Sequence, residues 1–140
     1  MNRLAIEFLD EGFHRVLFDA MPLPVFIVDG NINIFDCNKA AVQLIGKSRR
    51  FILRRRGGEA LNCVQALRRP ARCGRTPACR ECMVRESVHA AAQGRRVARQ
   101  WAEMDLVRRG KVAKVKLRVS CQLFSYGKSS FILLVLEGLN

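Results

Sequence analysis

Residues 114–123, KVKLRVSCQL, alternate charged or polar with apolar side chains at every position. Successive side chains of a strand point to opposite faces, so Val115, Leu117, Val119, Cys121 and Leu123 belong to a core, and Lys114, Lys116 and Arg118 belong to solvent. A sheet with one buried face fixes that register, because a slip of one residue would put the lysines inside. Working outward, Arg109-Gly110 turns the chain ahead of this strand, and Val97 to Leu106 forms its partner. On the other side Tyr126-Gly127-Lys128 turns again, and Phe131 to Leu136 makes a last, mostly buried strand.

The N-terminal half supplies the rest of the pattern. Leu4, Phe8, Leu9, Phe13, Val16, Leu17 and Met21 recur at helical spacing with Glu7, Asp10, Glu11 and Arg15 between them, which predicts an amphipathic helix. Pro22 and Pro24 stop it, since proline lacks an amide proton and disfavours helix at the preceding residue. Val25 to Asp29 and Ile32 to Phe35 flank Gly30-Asn31 as a hairpin. Asn38 caps a short helix, Lys39 to Ile45, ended by Gly46. Residues 47–82 are rich in Arg, Gly, Pro and Cys without a sustained period and are expected to be loop with at most a helical turn. Glu81 to Gln93 is expected to be helical, with Gly94 as its stop.

The resulting order is helix, two strands, an irregular middle and three strands. It predicts an α+β fold, an antiparallel five-stranded sheet with helices gathered on one face. At 140 residues, with 49% hydrophobic side chains, the chain can bury one core but not two. Its longest wholly apolar run, Phe131 to Leu136, is far short of the roughly 20 residues that span a bilayer. Glu7, Asp10 and Glu11 spoil a secretory leader, so a soluble, cytoplasmic protein with no membrane partner is expected.

The segments LFDAMPLPVFIVDGNINIFDCNKAA, residues 17–41, and FILLVLEGLN, residues 131–140, resemble the first hairpin and last strand of the PAS family of sensory domains. The resemblance implies a PAS-like five-stranded sheet whose helical side encloses a ligand or cofactor and which signals to an attached or partner domain. It divides the chain into an N-terminal helix, residues 1–21, and a PAS-like sensory domain, residues 22–140, with a cysteine-rich segment at 57–83. In that family a helix preceding the core commonly helps two copies pair, so a homodimer is expected. Packing within the chain is nevertheless the commoner use of apolar residues such as Phe8, Phe13, Val16 and Leu17. The implied output is a signalling partner, such as a histidine kinase or a transcription regulator, or a fused domain of a longer regulator.

Four of the six cysteines, Cys63, Cys73, Cys79 and Cys82, fall within 20 residues as C-x9-C-x5-C-x2-C, with Gly74 and Pro77 between them. In a reducing compartment such a cluster points to metal or redox chemistry rather than disulfides. A Cys-x2-Cys pair brings two sulfurs to one metal, and two further thiolates complete a tetrahedral shell. Zinc and an iron–sulfur cluster share this ligand set. A metal-free thiol switch and unliganded structural cysteines remain open as readings. Arg72, Arg75, Arg80 and Arg85 would stabilise thiolates. GEALNCVQA and CGRTPACREC also resemble a bacterial subset of PAS domains with clustered cysteines in this segment. Cys121, on the apolar face of its strand, and Cys37, at the end of the second strand, are expected to be small core residues.

Other chemistries have less to stand on. Asn62-Cys63 is similar to the Asn-Cys of light-sensing PAS relatives, but their following arginine and phenylalanine are missing, as is any asparagine between Cys63 and Leu139, so flavin is not expected. Haem is not expected either, because His14 and His89 lie in no attachment motif. Without a nucleophile motif, a phosphate loop or paired carboxylates, no enzyme activity is expected. The net charge is +13, and the excess lies in residues 47–118, which carry 21 basic and 5 acidic side chains. Arg49, Arg50 and Arg54 to Arg56 make a basic nucleic-acid-binding regulator with a purely structural zinc the alternative reading. Only Phe51 and Trp101 supply aromatic rings there, which weakens it.

Overall fold

The structure is a computed structural model that describes residues 11–67 and 82–138. It opens with α1 (Glu11–Ala20), followed by β1 (Val25–Val28) and β2 (Ile34–Cys37). Four helices follow, α2 (Lys39–Ile45), α3 (Arg49–Ile52), α4 (Gly57–Ala60) and α5 (Val64–Leu67). Then come α6 (Met83–Ala92), β3 (Val97–Arg108), β4 (Lys111–Tyr126) and β5 (Ser129–Glu137). The strands form one antiparallel five-stranded sheet in the order β2-β1-β5-β4-β3.

The alternation in β4 works as the sequence predicts. Val115, Leu117, Val119 and Cys121 are buried and Lys114 and Lys116 exposed, while Arg118 is half-buried because its guanidinium lies 4.0 Å over the Trp101 ring. Ala102, Met104 and Leu106 of β3 and Ile132, Leu134 and Leu136 of β5 turn to the same face. Val84, Val88 and Ala91 of α6 close over it, so the core lies between the sheet and the helices.

Asn38 joins the two halves of the N-terminal unit. It is fully buried, and its Oδ1 accepts from the amides of both Ala41 and Val25, at 3.0 Å each, while Nδ2 donates to the Leu23 carbonyl at 2.9 Å. One side chain thus caps α2, as expected, and also fixes the start of β1. Gly46, in the left-handed conformation at φ 74, ends α2.

Three sequence expectations change. The first hairpin turns over residues 29–33 rather than on Gly30-Asn31 alone, so β2 runs from Ile34 to Cys37. The cause is Asp29, whose carboxylate accepts from Asn31 N at 2.9 Å, Asn33 N at 3.0 Å and Asn33 Nδ2 at 2.9 Å and holds the wider loop. Residues 47–67 are not loop but carry α3, α4 and α5, each a single turn. Elements of four residues leave no period to read; α3 forms because Ser48 Oγ accepts from Phe51 N. On α1, Val16 and Leu17 are 67% and 51% exposed and do not pack into the core of this chain. The part of the expected helix before Glu11 lies outside the described residues.

Candidate functional site

Between the inner face of the sheet and helices α4, α5 and α6 lies a cavity of about 210 Å³. Its sheet wall is formed mainly by the apolar Phe26, Ile34, Met104, Leu134 and Leu136, with Glu103 and Asp105 of β3 also lining the cavity. Gly57 and Gly58 of α4 form part of the opposite wall, both buried. A Cβ built on Gly57 would come within 2.8 Å of Ile32 Cγ2, so α4 approaches this closely only because the residue is glycine.

Cys63 and Cys82 both line the cavity. Cys63 is set by its backbone, its amide donating to the Gly58 carbonyl at 2.8 Å, and by a bridge to Leu106 of β3. Ahead of it Asn62 sits at φ 59, its carbonyl accepting from Val107 N at 2.8 Å and its Oδ1 from Lys47 Nζ at 3.0 Å. Cys82 stands at the N-terminal cap of α6, and Arg85, one turn on, lines the same space. Of the four expected ligands, therefore, the fold brings two to a common cavity across 19 positions of sequence. Cys73 and Cys79, with Arg72, Arg75 and Arg80, lie outside the described residues. Among the described residues no three His, Cys, Asp or Glu side chains form a group that could hold a metal ion.

Cys37 and Cys121 are buried in the core, as expected. Burial pushes the Cys121 thiol up to about 12, and burial together with the nearby Asp36 charge pushes Cys37 up to about 11. Both are thus uncharged near neutral pH. His14 and His89 are exposed on α1 and α6. Sequence reasoning missed Gln65, whose Oε1 is buried without a hydrogen-bond partner at the cavity wall. No periodicity marks it, whereas the Gly57-Gly58 pair was a signal that could have been read as a close approach.

Comparison with sequence families matches residues 12–80 to one described as a PAS domain. The chain belongs to the PAS family. No curated protein matches it. Solved structures place the whole fold in the same class. The PAS domain of nitrogen regulation protein NR(II) from Vibrio parahaemolyticus superposes with a TM-score of 0.60 at 14% identity, covering 90% of this chain and 97% of that one. The PAS domain of an HTR-like protein from Haloarcula marismortui gives 0.58 at 16%, covering 91% and 96%. The photoactive yellow protein domain of the sensor histidine kinase Ppr from Rhodospirillum centenum gives 0.57 at 19%, covering 91% and 95%.

This PAS domain is a sensory domain, and charged joints tie its N-terminal helix to β2 and to the helices that follow it. Arg15 of α1 and Arg49 of α3 both salt-bridge to Asp36 of β2. Asp19 Oδ1 accepts from the Lys39 amide at 3.0 Å, tying α1 to the start of α2. Val16 and Leu17, with Met21 and Leu23 beyond the helix, leave an apolar surface on this end of the PAS domain. Among the described residues no helix is long and apolar enough to cross a membrane.

Proposed function

We propose that this PAS domain senses redox state, oxygen or a metal through Cys63, Cys73, Cys79 and Cys82, which together would hold zinc or an iron–sulfur cluster. The observation that carries the reading is the placement of Cys63 and Cys82 on one common cavity. Ala66 lines the same cavity, so described residues on both sides of the stretch bearing Cys73 and Cys79 face it. The donor chemistry fits: thiolates suit both candidates, and Arg85 beside Cys82 offsets the negative charge that a four-thiolate site carries. Bound there, the metal would cross-link α5, α6 and the stretch between them. The cavity's volume of about 210 Å³ is below the roughly 300–1,000 Å³ of drug-sized ligand sites, which supports a compact centre over flavin or haem.

The role is that of a non-catalytic sensor in the cytoplasm. Its output is a partner or a fused domain, and the occurrence of similar folds in sensor histidine kinases supports a kinase or a transcription regulator in that place. A homodimer is proposed through α1, whose exposed Val16 and Leu17 would be covered by the second copy.

Anaerobic purification followed by metal analysis and a visible spectrum tests the site. Visible absorption that bleaches on reduction identifies iron–sulfur, and a colourless protein with one zinc identifies a zinc site. Protein that holds neither metal, after reconstitution with each, overturns the four-cysteine reading.

A further inference from the structure

Arg54, Arg55 and Arg56 run along the outer edge of β2. Arg54 N donates to the Ile34 carbonyl at 2.7 Å, Ile34 N donates to the Arg55 carbonyl at 2.9 Å, and Gly57 N donates to the Ile32 carbonyl at 3.0 Å. These bonds fix the backbone from which the arginine side chains leave. Arg54 holds φ at 69, in the left-handed region that residues with a side chain rarely adopt. Beside it, the Arg55 guanidinium lies 3.8 Å from the Phe51 ring centroid and Lys47 Nζ 4.5 Å from the same centroid. Arg55 Nε also donates to the Phe51 carbonyl at 2.7 Å. Residues 47–56 include six basic side chains and no acidic one, and among the described residues no carboxylate pairs with Arg50, Arg54 or Arg55.

We propose that Lys47, Arg50, Arg54 and Arg55, carried by α3 and its flanks with Arg54 and Arg55 held to the edge of β2, form a docking surface for an acidic segment of a protein partner. Charge complementarity sets the partner's sign, and the local geometry sets its kind. Nucleic-acid single strands bind by stacking bases on open aromatic rings, and here Phe51 already lies under two cations and Trp101 under Arg118. Duplex grooves are read by a helix or ribbon that reaches into them, and α3 is a single turn of four residues. The fork of a guanidinium matches a carboxylate as well as a phosphate, and with neither an open ring nor a groove-reading element beside it the carboxylate is the better match. The same surface already uses that chemistry internally, with Asp36 bound by Arg15 and Arg49. The inference stands apart from the cysteine site, so either can fail without the other.

The test is fluorescence anisotropy on the full chain with two labelled probes of equal net charge, a glutamate-rich helical peptide and a random-sequence DNA duplex. The peptide is expected to bind, and R50E/R54E to weaken it by at least about tenfold. Reversing the same number of charges at the β3–β4 turn, in R109E/K111E, is expected to change it by about twofold or less. The neutral pair R50Q/R54Q, with melting curves on every variant, repeats the comparison with a smaller perturbation. Equal losses from the two reversals would mean a non-specific response to net charge and would overturn the proposal. So would duplex binding that is tighter than peptide binding and lost in R50E/R54E, which assigns the surface to nucleic acid.

Discussion

The Asp36 carboxylate on β2 is gripped by the Arg15 guanidinium of α1, with Nη2 3.0 Å from Oδ1 and 3.2 Å from Oδ2. Arg49 of α3 binds the same carboxylate, so one side chain joins the N-terminal helix, the sheet and the basic segment that leads to the cavity. The tie between α1 and α3 is therefore a shared carboxylate on β2.

Burial raises the Asp36 carboxyl above its ordinary 3.8, opposed by the Cys37 amide and by Arg15. A raised carboxyl binds its proton more readily in the folded state, so its contribution to stability is greatest below pH 3.8 and falls as pH rises through the folded value. Carbon-13 NMR titration of the carboxyl should place its midpoint above 3.8, and Arg15→Ala, by removing a lowering charge, should move it higher. A midpoint below 3.8 contradicts the dominance of burial.

The core thiols give a second pH window. In the unfolded chain Cys121 ionises near 9, whereas in the fold it holds its proton up to about 12. Between those values the folded state retains a proton that the unfolded state has lost, so stability falls as pH rises across that interval. Near neutral pH the consequence is kinetic. In metal-free protein, alkylation followed by mass mapping should label half-buried Cys63 well before Cys37 and Cys121, which should react only on unfolding. Early labelling of Cys121 contradicts its burial.

Gly57 tests the cavity wall. An added methyl meets Ile32 Cγ2 at 2.8 Å, and Ile32 is itself buried and held at φ 63. Gly57→Ala should therefore cost about 1–3 kcal/mol in urea unfolding. Trimming the obstacle in Gly57→Ala/Ile32→Val should recover part of that cost, giving a favourable coupling in a double-mutant cycle. Additive losses would place the strain elsewhere.

What the sequence made legible follows from length and period. The β4 alternation, the Asn38 cap with its Gly46 stop, and β5 were readable because each rests on local rules repeated over several residues. Helices α3 to α5 were not, since one turn has no period and Gly57-Gly58 resembles a loop until Ile32 is seen against it. The exposure of Val16 and Leu17 was hidden for the opposite reason, because an amphipathic stripe says that a face is covered without saying by what. For the candidate site, spacing brought out the four cysteines and the helix that follows Cys82, but the convergence of Cys63 and Cys82 on one cavity also depends on α4 and α5, which the sequence did not outline. The Asp36 joint spans α1, β2 and α3 and has no signature in any one of them.

The cysteines should differ in kind when replaced. In a ligand shell each thiolate contributes to the binding free energy that orders the surrounding chain. Cys79→Ser should therefore abolish metal binding and loosen residues 57–83. Cys121 is a buried lone thiol whose surroundings are the apolar side chains of β4 and β5, so Cys121→Ser brings in a hydroxyl without a partner. That change should cost about 1–3 kcal/mol and leave metal content unaltered. Cys63→Ser and Cys82→Ser should follow Cys79→Ser if the two cavity-lining thiols are ligands. Metal stoichiometry and thermal melting of the four variants beside wild type separate the cases. Loss of metal in Cys121→Ser with retention in Cys79→Ser would move the site from the cysteine-rich segment to the sheet, where Cys121 packs against the strand bearing Leu134.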